Sequence, residues 1–237
     1  MEIASGIHQL RAIACQVFAL LEDDGVTLID TGAPGSGWLI LRQLRQSGRS
    51  PSDIKRIVLT HYHIDHRGTA AELRRASGAD VLIHTSEATY LRGEMAYPNP
   101  IQTQPLAMLT TPLFSLMRGR PVPAIELHDG EVLPVMGGLR VIHATGHTRG
   151  SITLSLPGQG LLFAGDVMGF HRQELQEPDA RVTENPTHAR ASLERLAALD
   201  IETICFSHFP PLREHARTRL ELLVATWSPE FGERTWR

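Results

Sequence analysis

Thr60-His61-Tyr62-His63-Ile64-Asp65-His66-Arg67-Gly68 follows directly on the apolar run Ile57-Val58-Leu59. Side chains two apart on an extended chain project to the same side, so His61 and His63 can converge on one cation. Asp65 and His66, where the chain turns toward the next helix, can reach a second. Imidazole and carboxylate together suit zinc, and also iron, manganese or cobalt in the same divalent state. A lone histidine is more often structural, and His8, His84, His128, His143, His171, His188 and His215 are read that way. The run from His61 to His66 differs, because burying so many titratable groups without a metal leaves unsatisfied and mutually repelling groups.

Working outward, the same ligand types recur where strands are expected to end, which is where a rigid scaffold holds them best. His147 lies in Thr145-Gly146-His147-Thr148-Arg149-Gly150-Ser151, after a strand expected over Leu139 to His143. Asp166 closes the apolar stretch Leu161-Leu162-Phe163-Ala164, and His208 follows a strand expected over Thr203 to Phe206. The order of elements is that of a mixed α/β chain. Val17 to Leu21 and Val26 to Ile29 read as a hairpin turning at Asp23-Asp24-Gly25. Helices are expected over Trp38 to Leu44, about Thr69 to Ala76, near Glu87 to Leu91, from Asn185-Pro186 through Leu199, and from about Leu212 to Thr226. Strands at Val81 to Ile83 and Ile152 to Leu156 complete the pattern.

One domain is expected over residues 1–237, since this length can bury a single large core. No repeat, low-complexity tract or flexible linker interrupts it. The stretch 93–123 carries Pro98, Pro100, Pro105, Pro112, Pro121 and Pro123 with apolar residues between them, and reads as a folded insertion with short helical pieces. Its Tyr97, Phe114 and Met117, with Phe170 and Phe209 beside two candidate ligands, would suit an apolar group near the metals.

Basic and acidic side chains number 23 and 26, a formal charge of -3, which calls for neither nucleic acid nor a membrane surface. Apolar stretches are too short to cross a bilayer and no secretory leader is visible, so the cytoplasm is the expected compartment. Cys15 and Cys205 are expected to be small core residues inside strands. The expected partner is a small-molecule substrate, and a homodimer is compatible with the sequence.

From Asp30 to His208 these motifs make the chain resemble the metallo-β-lactamase fold hydrolase superfamily, in its lactonase and glyoxalase II-like branch. The resemblance implies a four-layer αββα sandwich of two mixed β-sheets with external helices, and a metal site at the edge where the sheets meet. It implies two divalent ions per chain, with zinc the first expectation and iron, manganese or cobalt the others. His61, His63 and His147 would hold the first; Asp65, His66 and His208 the second; Asp166 would bridge both. Asp30, in Leu28-Ile29-Asp30-Thr31-Gly32, would orient a metal-bound histidine, whose free ring N–H needs a partner.

A hydroxide shared by two cations about 3.5–4 Å apart is then expected to attack an acyl carbonyl, with Asp65 passing a proton to the leaving group. Departures from the family's branches narrow the substrate. β-Lactamases of the superfamily generally carry Cys or Ser where this chain has Asp166. Glyoxalase II-type thioesterases usually add a C-terminal helical domain, whereas only Phe209 to Arg237 follow His208 here. Many acyl-homoserine lactonases place Tyr three residues after the bridging Asp, where this chain has Gly169. The first expectation is hydrolysis of a lactone or related small ester or thioester. The alternatives are β-lactam hydrolysis, as main or secondary activity, and a non-catalytic metal-binding protein. Structural zinc sites are normally closed by four protein ligands, so three ligands per metal plus a shared carboxylate favour an enzyme.

Overall fold

Val17 to Leu21 and Val26 to Ile29 are apolar at every position but Thr27, where a strand with one wet face would alternate. The reason is that both faces of their sheet are covered. A computed structural model of the chain describes residues 1–99, 101 and 120–227. Its first sheet runs in chain order: β1 (Glu2–Ala4), β2 (Ile7–Arg11), β3 (Gln16–Glu22), β4 (Gly25–Ile29), β5 (Ile54–Val58), β6 (Asp80–His84) and β7 (Ile125–Leu127). β1 to β4 pair antiparallel and β4 to β7 parallel. Helices α1 (Gly37–Gln46), α2 (Ile64–Arg67), α3 (Ala70–Ser77) and α4 (Thr85–Leu91) fall within this half.

The second half contributes β8 (Val132–Leu133), β9 (Leu139–His143), β10 (Ile152–Leu156), β11 (Leu161–Gly165), the hairpin β12 (Gly169–His171) and β13 (Glu174–Gln176), and β14 (Thr203–Phe206). The sheet order is β14-β11-β10-β9-β8, with β14 parallel to β11 and the other pairs antiparallel. Helices α5 (Pro186–Ala197) and α6 (Ala216–Ala225) cover its outer face.

Alternation along each strand sorts side chains into three apolar layers. Val17, Ala19, Val26 and Leu28 pack outward with Ile40 and Leu44 of α1 and Leu73 of α3. Phe18, Leu20 and Ile29 point inward to meet Val141, Leu154 and Phe163 of the second sheet. There the Phe18 and Phe163 rings lie 5.1 Å apart at 60°. Leu162, Ile204 and Phe206 face Leu193, Leu196 and Leu220 of the outer helices. The result is the αββα sandwich of two mixed sheets. None of the described helices is long and apolar enough to cross a membrane.

Two expectations need correction. The last helix begins at Ala216, not Leu212, because the Leu212 backbone makes both hydrogen bonds of an antiparallel bridge with Ile204. His215, in the left-handed region at φ 55°, separates that bridge from the helix. Cys15 is buried but precedes β3 instead of lying in it, whereas Cys205 is within β14; both are free thiols. β1, β2, β7, β8 and the β12–β13 hairpin were not expected, being short or carrying polar residues at alternate places.

Candidate metal centre

Five strand ends supply the site. β4 and β5 run parallel, and β9, β11 and β14 share one direction, so their C-terminal ends lie along one edge of each sheet. Asp30 follows β4, His61 and His63 follow β5, His147 follows β9, Asp166 follows β11 and His208 follows β14. Asp65 and His66 sit on the single turn of α2. Gly146 is needed beside His147: its φ is +138°, and a Cβ there would lie 2.3 Å from the Ala189 nitrogen of α5. Asn185 caps that helix by accepting from the His188 N–H at 3.1 Å, while its own N–H donates to the Gly146 carbonyl.

All of the expected ligand residues come together. Asp166 Oδ2 lies 4.0 Å from His61 Nε2, 3.4 Å from His66 Nε2, 3.6 Å from His147 Nε2 and 3.1 Å from His208 Nε2. Asp65 Oδ2 is 3.7 Å from His66 Nε2 and 3.5 Å from His208 Nε2. His63 Nδ1 and His147 Nε2 face each other at 3.0 Å. Ligands bound at about 2.0–2.2 Å to a shared ion stand roughly 3–4 Å apart, so these separations fit cation coordination. Among the described residues, three overlapping triads each bring their ligand atoms within 4.8 Å of one another: His61, His63 and His147; His61, His66 and Asp166; and Asp65, His66 and His208.

The fit is also visible in what the protein leaves unsatisfied. His61 Nε2, His66 Nε2 and Asp166 Oδ1 are buried with no hydrogen-bond partner. Orphaned buried polar atoms are costly, and these three belong to residues of one candidate ligand triad, where a cation would satisfy them. Burial, then the neighbouring imidazoles, hold His61 and His63 well below the ordinary histidine range, and burial lowers His147. These three are therefore neutral, the form that binds a metal. Burial opposes charge on His66, but the Asp166 and Asp30 carboxylates outweigh it and hold its pKa well above the usual value. Asp166 mirrors this: burial would raise it, yet His66 and His208 keep it far below the carboxylate range. His208 is the most exposed histidine of the set at 31%.

The outer nitrogens show how the rings are aimed. Asp30 sits in the left-handed region at φ 62° and accepts from Thr60 N at 2.8 Å, from Thr60 Oγ1 at 2.9 Å and from His66 Nδ1 at 2.8 Å. Thr60 Oγ1 also meets His61 Nδ1 at 3.1 Å. Ala14, itself at φ 68°, offers its carbonyl to His208 Nδ1 at 2.9 Å. Thr60 and Ala14 were missed from sequence. A small hydroxyl before the first histidine was a readable signal for Thr60, but nothing in Ala12-Ile13-Ala14 announces a carbonyl reaching a histidine at the far end of the chain.

Asp30→Asn keeps a residue that tolerates the left-handed backbone and removes only the anionic acceptor. The variant is expected to lose about 10–100-fold in affinity for the ion that His66 helps to hold. A competition titration with a zinc-binding dye measures this, and an unchanged affinity would remove Asp30 from that role.

Beside the cluster opens a cleft of about 800 Å³. Ile64, Met168, Phe170, Val182 and Phe209 form its apolar side, and His63, Asp65, His147, Asp166 and His208 border it. Phe170 stacks on Phe206 with ring centroids 5.4 Å apart, which fixes that wall. Of the residues expected near the substrate, Phe170 and Phe209 line the cleft. Tyr97 instead stacks on Tyr62 with centroids 5.9 Å apart, beneath the Arg67 guanidinium at 3.6 Å. Phe114 and Met117 lie outside the described residues.

The family model described as the metallo-beta-lactamase superfamily matches residues 11–208, which takes in the site from end to end. The chain belongs to that superfamily. It is similar, at 30% identity over 230 residues, to a probable metallo-hydrolase of Bacillus subtilis (strain 168), covering 89% of this chain and 86% of the relative. A crystal structure of a metallo-beta-lactamase family protein from Thermus thermophilus matches with a TM-score of 0.74 and 27% identity, covering 94% of this chain and 80% of that one. A hydroxyacylglutathione hydrolase of Rhodobacter capsulatus is 34% identical over 154 residues. That match takes in 64% of this chain and 47% of the relative, about half its length. As a metallo-beta-lactamase superfamily member with this histidine-rich site, the protein is a metal-dependent hydrolase that binds divalent metal.

Proposed function

We propose that the protein hydrolyses a small lactone, ester or thioester at a centre of two divalent ions, with zinc the first candidate. His61, His63 and His147 would hold one ion and Asp65, His66 and His208 the other, with Asp166 available to both. Bound there, the ions would supply Lewis acidity and water activation near neutral pH. The chain's own residues do the rest. Phe170, Phe209 and their apolar neighbours take the acyl portion and keep bulk water from the reacting carbonyl. Asp30 holds the His66 ring through Nδ1 so that Nε2 faces the cluster. Asp65, half-exposed at the cleft, passes a proton to the departing oxygen or sulfur.

The observation that carries this reading is the convergence of histidine Nε2 atoms on Asp166 at the base of an apolar cleft. Similarity to a hydroxyacylglutathione hydrolase keeps thioesters in the substrate class. The test pairs elemental analysis of freshly purified protein with a panel of lactones, p-nitrophenyl esters, thioesters, a chromogenic β-lactam and phosphodiesters. Two ions per chain and turnover dominated by one acyl class is the expected result. A β-lactam as the dominant substrate would move the assignment to that activity. Metal-loaded protein inert to the whole panel would favour a non-catalytic metal-binding role.

A further inference from the structure

His63 and His147 differ from their companions in how they are aimed: the His63 nitrogen turned away from His147, Nε2, is buried without a hydrogen-bond partner. His66 is held by Asp30, His61 by Thr60 and His208 by the Ala14 carbonyl, each through the ring nitrogen that faces away from the cluster. The corresponding nitrogen of His147, Nδ1, is buried and has no hydrogen-bond partner. Its direction must therefore come from the backbone of its own loop.

That loop is tied to a buried acid on another element. Glu87 of α4 has no exposed surface, and its Oε1 accepts from Thr148 Oγ1 at 2.5 Å and from Gly150 N at 3.0 Å. Thr148 Oγ1 also meets Ser151 Oγ at 2.7 Å, and that oxygen accepts from Thr148 N at 3.0 Å. The fit is close enough that a Cβ on Gly150 would come within 2.5 Å of Glu87 Cγ. Burial pushes the Glu87 carboxyl up to about 8, against the pull of Thr148 and Gly150, so it is neutral at neutral pH. An apolar side chain of similar size would avoid the desolvation cost, so the acid's presence calls for a role that only an acceptor fills.

We propose that Glu87 is a positioning residue for the metal centre: by fixing the turn Thr148 to Ser151 it sets the direction in which His147 presents Nε2 to His63 Nδ1 and Asp166. This rests on the ligand set proposed above. A glutamine keeps the accepting oxygen and matches the neutral acid in shape, whereas a leucine fills the space and accepts nothing.

The test measures zinc affinity by dye competition, the visible spectrum of the cobalt(II)-loaded protein, and the melting temperature of the metal-free chain. E87Q is expected to hold zinc within about 3-fold of wild type, as it retains both accepted hydrogen bonds. E87L is expected to lose about 10–100-fold, the range for outer-shell partners, with an altered cobalt spectrum. An E87L protein that melts lower yet keeps the wild-type affinity and spectrum overturns the proposal, since Glu87 would then only stabilise the fold. Should E87L fail to fold, T148V removes the hydroxyl with little change of shape and carries the same two readouts. His147→Ala separates the levels: if it leaves zinc affinity unchanged the ligand reading falls, and this inference with it. If it lowers affinity while E87L and T148V do not, only the role of Glu87 falls.

Discussion

Asp166→Ala is expected to lower kcat/KM by more than 100-fold and to strip at least one ion from the purified protein. Loss of an outer-shell partner alone costs about 10–100-fold, and Asp166 is the carboxylate on which the Nε2 atoms of His61, His66, His147 and His208 converge. Without it, His66 keeps Asp30 at 2.8 Å but loses the carboxylate that most favours its charge among the buried imidazoles. Removing one partner of a buried charged group is costly, so metal-free variant protein should also be less stable than metal-free wild type. Elemental analysis after dialysis, beside steady-state kinetics on whichever acyl substrate the panel identifies, reads both effects. Full metal content with undiminished turnover would show that Asp166 is not shared between the ions.

The second large effect is on stability. Removing metal with a chelator and restoring zinc in excess should move the melting temperature by roughly 8–16 °C. Ligand at about 1,000 times its Kd stabilises by about 4.1 kcal/mol, and a chain of this size shifts by about 2–4 °C per kcal/mol. The physical source is the set of buried nitrogens at His61 and His66 and the Asp166 oxygen, which have no partner until an ion arrives. Differential scanning fluorimetry with and without zinc settles it. A shift of less than about 2 °C, well under what saturation at this ratio gives, would mean that the cluster is not a high-affinity site.

Much of this centre was legible before the fold was known because coordination chemistry constrains residue type and spacing together. His61 and His63 alternate onto one side of an extended segment, and the elements ending before His147, Asp166 and His208 are apolar enough to be recognised as buried strands. The outer strands were less legible. β2, Ile7-His8-Gln9-Leu10-Arg11, is short and apolar only at Ile7 and Leu10, and its pairing with β3 over the full register is set by tertiary contact, not by propensity. Leu212 misled for the opposite reason. Its apolar side chain fits the helical period of α6, but its backbone is spent on the bridge to Ile204.

The supporting network was the least readable part. A carbonyl acceptor such as that of Ala14 leaves no mark on residue identity, and Glu87 reads as an ordinary surface acid of a short helix until its burial is seen. Tyr97, expected at the substrate, packs on Tyr62, whose ring in turn meets His63 edge-on with centroids 4.8 Å apart.

The tie between the Ala14 carbonyl and His208 spans 194 positions of the chain, and it sets a timetable. Ribosomes deliver the run His61 to His66 early, while His208 follows His66 by 142 residues (208 − 66), a delay of roughly 7–28 s at about 5–20 residues per second. Until β14 emerges and pairs with β11, Asp166 lacks one of its histidines and Asp65 lacks its neighbour. On the proposed ligand set, a nascent chain thus carries a half-built binding site for seconds, until β14 is made.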